Sequence, residues 1–402
     1  MKIVIATAVY YPQINGVAVF SHNLACGLAQ RGHEVTVICP SQTGKNYVRV
    51  MDGVRTVYLK SVEAKIYPDQ IHDSSQKRGL LYKHGFKVSV FPRKEVKAVL
   101  DEFRPDVVHV QVSDPIGLSV VSWARKMGVP VVTTEHNQPE VITDPLKIPR
   151  FFRKPANAVL AAYFRNRQSK SDFVTMPTEK AIRDLLGKGE EFPVPVAAVS
   201  NGVDLSCFTP GRAGAEAYKR YGLDTGMLTV LYVGRVDPEK NVGAVIEAFV
   251  RADVANAQLV IVGDGVDKAR LMKMAEGRSD IHFLGRIVPP ELYEVYKLGD
   301  VFVTASPIET QGIVLIEAAA SGLPLIAVDA GAVSEVCRDS VNGYLCAVGD
   351  VDGMSEAMRE ILSDDKLRAK FAEASVKIAH EHDFEKTLDK FINIYNRVIK
   401  ES

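Results

Sequence analysis

The sequence has no excess of charge of either sign and no long apolar run, and both absences exclude classes of protein. Basic and acidic side chains number 49 each, so the charge balance predicts no nucleic-acid partner. No stretch approaches the ~20 apolar residues of a membrane-spanning helix. The apolar run after Lys2 is short, and no small-residue cleavage site follows it, which argues against a secretory signal. We therefore expect a cytoplasmic protein that at most lies on a membrane surface.

Cysteine is also scarce. The chain has five cysteines, at Cys26, Cys39, Cys207, Cys337 and Cys346. Their odd number and scattered positions lack the spacing of a metal site or a disulfide framework. The pattern indicates free, mostly buried thiols in a reducing compartment.

What the 402 residues do contain is a repeated alternation of short apolar runs with longer amphipathic segments. Runs of this kind are buried on both faces, as in parallel sheets, and the segments between them have helical periodicity, as in residues 20–32 with Gly32 as a cap. The alternation occurs twice, which predicts two doubly wound α/β domains. The predicted strands are 2–9, 34–39, 106–111, 129–136 and 172–177 in the first set, and 228–235, 257–265, 280–286, 300–306 and 323–330 in the second.

The boundary between the domains is predicted at residues 199–211, which are rich in Pro, Asn and Gly and suit a hinge. The N-terminal domain then covers residues 1–198 and the C-terminal domain residues 199–380. Residues 381–402 form a long amphipathic helix. Because no strand follows this helix, it must dock on an existing surface, which we expect to be the N-terminal domain.

Residues 306–335 have the pattern of a phosphate-binding turn. A strand ends at Ser306, a helix is predicted to begin near Gly312, and Gly322 with Pro324 ends it. A glycine at a helix start lets backbone N–H groups approach an anion, and the helix dipole favours negative charge there.

Two carboxylates belong to the same stretch. Glu309 precedes the predicted helix and Glu317 lies within it. Eight helical residues span ~12 Å, which exceeds the ~5–9.5 Å separations of hydrolytic carboxylate pairs. We therefore expect each Glu to accept hydrogen bonds from hydroxyls at different ends of one long ligand. A solvated helix face is the alternative for either residue.

Two cations follow the first strand of the second set. Arg235 stands at the end of that strand, and a turn containing Pro238 brings Lys240 back towards it. Two cations in this position can neutralise a pyrophosphate and stabilise it as a leaving group. The alternative is a pair of surface cations that contact Asp237 and Glu239.

Together these stretches resemble the large family 4 of retaining glycosyltransferases with the GT-B fold. The likeness covers nearly the whole chain and includes the residue 10–38 segment, which is similar to the family's glycine loop and first helix. It implies an α/β protein of two Rossmann-like domains facing a cleft, which moves a hexose from a nucleotide sugar to an acceptor hydroxyl. The other matching segments are GR-x4-K (234–240), IVGDG (261–265), FLGRI (283–287), E-x7-E (309–317), GLP (322–324), GAVSE (331–335), and NGVD (201–204) with Phe208.

The resemblance also implies roles for individual residues. Arg235 and Lys240 would hold the donor diphosphate, Glu309 would contact sugar hydroxyls, and Glu317 would bind the ribose diol. Gln311 stands where the family commonly has an aromatic residue, which leaves the local packing open. The further donor-binding residues implied are Gly16, Gly234, Gly265, Arg286, Thr310, Gln311, Gly312 and Ile313.

On the acceptor side, His136 stands at a strand end, where the family places a His facing the reacting sugar. We expect it to orient donor sugar or acceptor, and a purely structural histidine is the alternative. His109, Asp114 and Glu140 are further acceptor-side candidates, for each of which a structural role is at least as plausible. The resemblance implies same-face substitution, with the departing phosphate receiving the acceptor proton.

No metal requirement and no other cofactor are expected for this protein. An Asp-x-Asp sequence occurs at Asp350 and Asp352, but it precedes a predicted helix far along the chain, and a capping role fits it better.

Two basic segments rich in aromatic residues, 75–97 and 146–170, suit an anionic membrane surface. An ordinary helix with a solvated basic face is the alternative. The wording of residues 109–118, 133–140 and 309–324 is similar to bacterial enzymes that glycosylate diacylglycerol, so a membrane lipid is the expected acceptor and UDP-hexose the expected donor. Peripheral association with the inner face of the cell membrane follows from that expectation. Alternatives are a soluble sugar or polysaccharide-unit acceptor, GDP-mannose as donor, and a sugar-nucleotide epimerase on the same scaffold.

Overall fold

The computed structural model describes residues 1–11, 16–63, 87–111, 114–136, 150–186 and 191–402. The described residues form two compact units. The N-terminal unit contains the described residues up to Asn201 together with Thr387–Ser402, and the C-terminal unit contains Gly202–Lys386.

The N-terminal unit is built on one sheet, which has eight strands among the described residues, in the order β10-β9-β8-β7-β1-β2-β4-β3. The pairings are parallel except for the antiparallel hairpin of β3 and β4. The central strands are Val- and Ile-rich and buried, as expected when helices cover both faces of a sheet. The strands are β1 (Lys2–Ala6), β2 (Glu34–Pro40), β3 (Tyr47–Met51), β4 (Val54–Leu59), β7 (Val107–Val110), β8 (Val131–Thr134), β9 (Phe173–Met176) and β10 (Val196–Ala198); β5 (Val62–Glu63) and β6 (Lys87–Val88) form a separate short ribbon.

The described helices of this unit are α1 (Gly16–Gln30), α2 (Arg93–Phe103), α3 (Pro115–Met127), α4 (Arg150–Gln168) and α5 (Glu179–Leu186). The C-terminal helix α13 (Phe384–Glu401) packs here from Thr387 onward. Its Thr387 hydroxyl donates to the carbonyl of Ser200 over 2.9 Å, and its Phe391 ring lies 6.0 Å from that of Phe20 on α1. Leu388, Phe391 and Tyr395 are buried, so the apolar face of this helix contributes to the core of the N-terminal unit.

The C-terminal unit has a sheet of six described strands in the order β13-β12-β11-β14-β15-β16, with every pairing parallel. The strands are β11 (Leu228–Val233), β12 (Ala257–Val262), β13 (Ile281–Gly285), β14 (Val301–Thr304), β15 (Leu325–Val328) and β16 (Gly343–Cys346). Between and after them lie α6 (Ala215–Arg220), α7 (Val242–Ala252), α8 (Lys268–Met274), α9 (Glu291–Tyr296), α10 (Ile313–Ala320), α11 (Val351–Ser363) and α12 (Asp365–Ala379).

The predicted fold class is confirmed: both units are doubly wound, largely parallel α/β structures. The strand predictions missed the β3–β4 hairpin, although its two-residue turn, Asp52-Gly53, is a strong hairpin signal. Both turn residues have positive φ, 52° and 76°, as this kind of turn requires. No helix in the described part of the chain is long and apolar enough to cross a bilayer.

Candidate active site

Each sheet has a topological switch point, where the chain returns to the first strand of the sheet and adds strands on its other side. In the C-terminal unit β11 is followed outward by β12 and β13, and the chain then returns to place β14 on the other side of β11. Loops at the carboxyl ends of β11 and β14 therefore flank a topological switch point, where doubly wound sheets bind ligands. Arg235 and Lys240 follow β11, while Ser306 and Glu309 follow β14.

Lys240 is the residue that joins these two loops. It closes the 3-10 turn Pro238–Lys240, and its Nζ lies 2.6 Å from Oε1 of Glu309 and 3.4 Å from the Ser306 hydroxyl. Both charged side chains are largely buried. The ion pair therefore lies at the switch point and joins two residues that are 69 positions apart in the sequence. The Glu309 carbonyl in turn accepts from the Ala332 amide at 3.0 Å, which holds the loop in place.

Arg235 is arranged differently. Its guanidinium contacts the carboxylates of Asp237 and Glu239, the latter at 2.7 Å. Asp237 is buried, whereas Arg235 and Glu239 are each half exposed. The alternative of local carboxylate partners thus describes Arg235, while Lys240 contacts the more distant Glu309 instead.

Glycines bring backbone close to backbone at this edge of the sheet. A Cβ at Gly265 would lie 2.3 Å from the carbonyl oxygen of Val236, so only glycine lets the loop after β12 pack against the loop after β11. Gly312 has φ of 75° and caps α10, a conformation that favours glycine. The first amides of a helix have no acceptor within that helix, and such amides are suited to bind an anion.

Glu317 lies in α10 and points elsewhere than Glu309. Its Oε2 accepts a 2.5 Å hydrogen bond from the hydroxyl of Tyr296, which ends α9. Burial raises the pKa of Glu317 to about 7, and the Tyr296 hydrogen bond opposes that rise. The two carboxylates of the motif therefore differ: Glu309 neutralises a lysine, and Glu317 has a neutral tyrosine as its partner.

The N-terminal unit has a corresponding switch point between β1 and β7. Gln111 follows β7, and its backbone N–H donates to the carbonyl oxygen of Ala6, the last residue of β1, at 2.8 Å. His136 follows β8, and its Nε2 lies 2.8 Å from Oε1 of Gln111. Because a carbonyl oxygen can only accept, Nε2 carries the proton. Burial lowers the pKa of His136 to about 4, so this imidazole is neutral at physiological pH.

Two of the acceptor-side candidates have structural partners. His109 is completely buried, with Nδ1 2.6 Å from the Tyr395 hydroxyl and Nε2 2.6 Å from the Thr134 hydroxyl. Asp114 caps α3 by accepting from the Gly117 amide at 2.8 Å. Both interactions hold the fold together, which is the structural alternative considered above. Glu140 lies outside the described residues.

The other predicted residues lie at strand or helix ends. Gly16 begins α1, and a Cβ there would meet no atom of the described residues within 4 Å. Gly234 and Arg286 directly follow β11 and β13, and Arg286 is exposed. Thr310 and Gln311 connect Glu309 to the start of α10, with Gln311 buried. Asp350 caps α11 through the Gly353 amide at 2.9 Å, while Asp352 contacts Arg251 at 2.6 Å, so this pair is occupied structurally.

Three residues that contact the site side chains were not predicted from the sequence: Tyr296, Ser306 and Gln111. Ser306 and Gln111 are each the last residue of a predicted strand, which is a usable signal because such positions share the ligand-binding edge. No sequence signal pointed to Tyr296, because its hydroxyl contacts Glu317 only through tertiary packing.

Comparison with known proteins agrees with this geometry. Residues 14–206 match the Glycosyltransferase Family 4 domain, and residues 215–377 match the Glycosyl transferases group 1 domain. The chain is 30% identical over 361 residues to a GDP-mannose-dependent alpha-mannosyltransferase from Mycolicibacterium smegmatis, with 89% of this chain and 87% of the relative covered. It is 28% identical to the alpha-monoglucosyldiacylglycerol synthase of Streptococcus pneumoniae, with 100% of this chain and 91% of that protein covered.

Solved structures share the architecture. Anabaena Alr3699/HepE in complex with UDP-glucose matches with a TM-score of 0.71 at 14% identity, covering 99% of this chain and 100% of that one. A likeness at this identity concerns the fold alone. With both domain matches and the 30% identical relative, the conclusion is that this chain belongs to the GT-B glycosyltransferases that combine a Family 4 domain with a group 1 domain.

Proposed function

We propose that this glycosyltransferase moves a hexose from a nucleotide sugar to an acceptor hydroxyl with retention of anomeric configuration, and that UDP-hexose is the preferred donor. The observation that carries the proposal is the Lys240–Glu309 ion pair at the switch point of the C-terminal sheet, at the loop that leads into α10. A cation and amide donors suit a diphosphate, and a carboxylate suits sugar hydroxyls. The structure of HepE, whose fold this chain shares, contains UDP-glucose.

Each donor group then has a protein partner. Lys240 and Arg235 bind the diphosphate, with the Gly312 and Ile313 amides as further donors. Glu309 accepts from hydroxyls of the hexose, and Glu317 accepts from the ribose diol. Gly234, Gly265, Arg286, Thr310 and Gln311 line the same loops, and Gly16 offers a second glycine-led helix start in the N-terminal unit.

The proposed transfer step is the same-face substitution that the family resemblance implies, and these contacts support it. The acceptor oxygen bonds to the anomeric carbon on the face from which the diphosphate leaves, the carbon–oxygen bond to the diphosphate breaks, and the acceptor proton passes to a departing phosphate oxygen. Lys240 and Arg235 stabilise the charge that develops on that leaving group, which is the main catalytic term for a step of this kind. His136 is neutral and donates a hydrogen bond to Gln111, so it orients a substrate and does not act as a protonated acid.

A donor panel tests the reaction. The enzyme is incubated with UDP-glucose, UDP-galactose or GDP-mannose, and with diacylglycerol vesicles or soluble sugars, and the products are read by mass spectrometry and anomeric NMR. We expect an α-linked hexosyl product from an α-linked UDP-hexose. Preference for GDP-mannose is the second candidate, favoured by the mannosyltransferase relative. Conversion of a UDP-sugar without acceptor would show an epimerase, and calorimetry showing no binding of any nucleotide sugar would refute the proposal.

Metal independence is tested in the same assay. The two cations serve where a divalent metal would otherwise neutralise the diphosphate, so we expect turnover to persist in EDTA. Loss of turnover that Mg²⁺ restores would contradict this part of the proposal.

The acceptor is proposed to be a membrane lipid such as diacylglycerol, reached by peripheral binding to an anionic membrane.

Helix α4 presents an exposed apolar stripe at i, i+4 spacing, in which Phe151 is 74% and Val159 is 69% exposed, continued by Tyr163. Lys154 is exposed on the same helix, and the Arg167 guanidinium stacks over Tyr163 at 5.0 Å. Phe91, 87% exposed, precedes the basic residues of α2. Apolar rings flanked by cations match an anionic bilayer surface, and the pneumococcal relative is an alpha-monoglucosyldiacylglycerol synthase. Residues 75–86 and 146–149 of the two basic segments lie outside the described residues.

Vesicle flotation tests this surface. The protein should float with vesicles containing phosphatidylglycerol and remain unbound with pure phosphatidylcholine. The Phe151→Asp/Val159→Asp variant should lose flotation. Val348→Asp, which adds the same charge at an exposed apolar position of the C-terminal unit, should not. Equal flotation of all three proteins, or none with wild type, would refute membrane binding and favour a soluble acceptor.

A further inference from the structure

A second cluster of potential ligand side chains lies in the N-terminal unit, apart from the residues assigned above. His22, Cys26 and Asp52 each offer one ligand atom, and these atoms lie within 4.8 Å of one another. It is the one such three-residue group found within the described ranges of the chain. Neither the donor contacts nor the acceptor-side candidates involve it.

Two local structures create the cluster. His22 and Cys26 are four residues apart on α1, and residues with this spacing lie on one face of a helix. Asp52 occupies the first position of the two-residue turn between β3 and β4, with φ of 52°. The sequence shows the His-x3-Cys spacing, but only the folded hairpin brings in the carboxylate.

The distances are close to those of a tetrahedral zinc site. The Cys26 Sγ lies 3.6 Å from the His22 Nε2 and 3.8 Å from its Nδ1, and the Asp52 Oδ2 lies 3.8 Å from Nε2. Zinc binds sulfur at ~2.3 Å and nitrogen at ~2.0–2.1 Å, so tetrahedral angles separate the two ligand atoms by about 3.5 Å. Ligand atoms already at this spacing can receive a metal with small side-chain adjustments.

The Nδ1 edge of the His22 ring has contacts of its own. Its Nδ1 lies 3.1 Å from the hydroxyl of buried Tyr10, and the Tyr11 ring packs edge-on against it with centroids 4.5 Å apart. A metal-bound histidine nearly always donates its second N–H to an oxygen, which fixes its tautomer and orientation. Tyr10 is placed for that role at Nδ1, which leaves Nε2, the ring nitrogen nearer to the Cys26 Sγ, for the metal.

We propose that His22, Cys26 and Asp52 form a zinc-binding site that links α1 to the β3–β4 hairpin, with a water molecule as fourth ligand. Asp52 is 61% exposed and the His22 side chain 16% exposed, so solvent reaches the open coordination position. Binding replaces the Cys26 thiol proton, which passes to the buffer, with a sulfur–zinc bond. The site is structural: it ties the helix that begins at Gly16 to the edge of the sheet.

Metal titration of the full-length protein tests the site. Protein stripped by chelator under reducing conditions is titrated with Zn²⁺ in competition with a chromophoric indicator, and separately with Co²⁺. Wild type should bind one equivalent of Zn²⁺, and Co²⁺ should produce thiolate charge-transfer absorption. Tyr10→Phe should weaken binding about 10- to 100-fold, and Cys26→Ala should weaken it further and abolish the charge-transfer band. Asp52→Asn keeps the turn, because Asn tolerates positive φ, yet it should also weaken binding.

Cys207→Ala is the matched control. Cys207 is another partly exposed cysteine beside a carboxylate, 3.5 Å from Asp204, but it belongs to no three-ligand group among the described residues. It should bind Zn²⁺ as wild type does. Binding that is equal in wild type and Cys26→Ala, or that is lost in Cys207→Ala, would overturn the proposal and leave the cluster as a His22–Asp52 contact. The readout is metal binding and not turnover, so its failure would leave the proposed transferase reaction untouched.

Discussion

The two switch points of this enzyme are built alike and charged differently. In the C-terminal unit, Lys240 and Glu309 form an ion pair where the loops after β11 and β14 meet. In the N-terminal unit, Gln111 and His136 form a neutral hydrogen bond in the loops after β7 and β8. Both arrangements stand at the carboxyl edges of parallel strands, so fold position alone does not separate them.

The difference in charge indicates different tasks. A partly buried ion pair can exchange one partner for an incoming diphosphate, because the cation is already held in place. A neutral imidazole bonded to an amide offers orientation and shape without a competing charge. We infer that the diphosphate belongs to the C-terminal unit, and that the N-terminal cluster positions uncharged hydroxyl groups.

The largest effect is expected at the cation. Lys240→Ala should lower kcat about 10²- to 10³-fold, comparable to the loss of one preorganised charge-stabilising group. Steady-state kinetics with saturating donor measures it. Lys297→Ala is the control, because Lys297 also pairs with a glutamate, Glu294 at 3.1 Å, but lies outside the site loops. Equal rates for both variants would remove Lys240 from the leaving-group role.

Glu317 should give the next largest effect and a pH signature. Its carboxylate form accepts hydroxyl hydrogen bonds best, so kcat/KM should rise as pH increases through about 7, the pKa that burial produces. Glu317→Gln should lower kcat/KM about tenfold, as loss of a hydrogen bond to a charged group predicts, and should flatten this rise.

Stability should show the same group with the opposite slope. The folded pKa of Glu317 lies above its ordinary 4.5, so the folded state holds the proton more tightly, and its contribution falls between about pH 4.5 and 7. Calorimetric melting should therefore show that the Tm of Glu317→Gln increases relative to that of wild type as pH rises across that window. An unchanged difference in Tm from pH 5 to 8 would contradict the raised pKa.

His136 should have a smaller effect that does not depend on pH. His136→Asn should lower kcat roughly threefold through lost orientation, the scale of one neutral hydrogen bond, and leave the shape of the pH profile above pH 5.5 unchanged. Its pKa is lowered to about 4, so the folded state resists protonation, and stability is lost as pH falls from 6.5 towards 4. A wild-type activity step near pH 6.5 that disappears in His136→Asn would show instead that His136 titrates as an acid or base.

The smallest expected effect concerns stability and tests whether His109, the buried histidine, has a structural role. Tyr395→Phe removes the hydroxyl that contacts the buried His109, and an unsatisfied buried polar group costs about 1–3 kcal/mol. Tyr344→Phe removes a similar contact to exposed Glu360 and should change the free energy of unfolding by less than about 1 kcal/mol. Chemical denaturation measures both. A larger loss in Tyr344→Phe would contradict the burial argument.

Local chemistry explains which site residues could be predicted. Arg235 and its partners Asp237 and Glu239 lie within four residues, so a turn after a strand was sufficient to place them together. Gly312 was predicted at a helix start because glycine there, with Pro324 beyond the far end, is a local signal. Lys240 was grouped with Asp237 and Glu239 as one alternative, and that grouping was wrong for Lys240. Its partner Glu309 depends on the adjacency of β11 and β14, which no local pattern encodes.

The sequence by itself determined the two parallel sheets and the family, because short strands buried on both faces and joined by amphipathic helices have few ways to pack, and because the motif glycines and charges follow a fixed order. Only the tertiary structure decided which charges meet: Lys240 with Glu309, Glu317 with Tyr296, and His22 with Cys26 and Asp52. The physical reason is range. Backbone propensity acts over a few residues, whereas side-chain partners at a sheet edge are set by strand order, which brings together residues far apart in the chain.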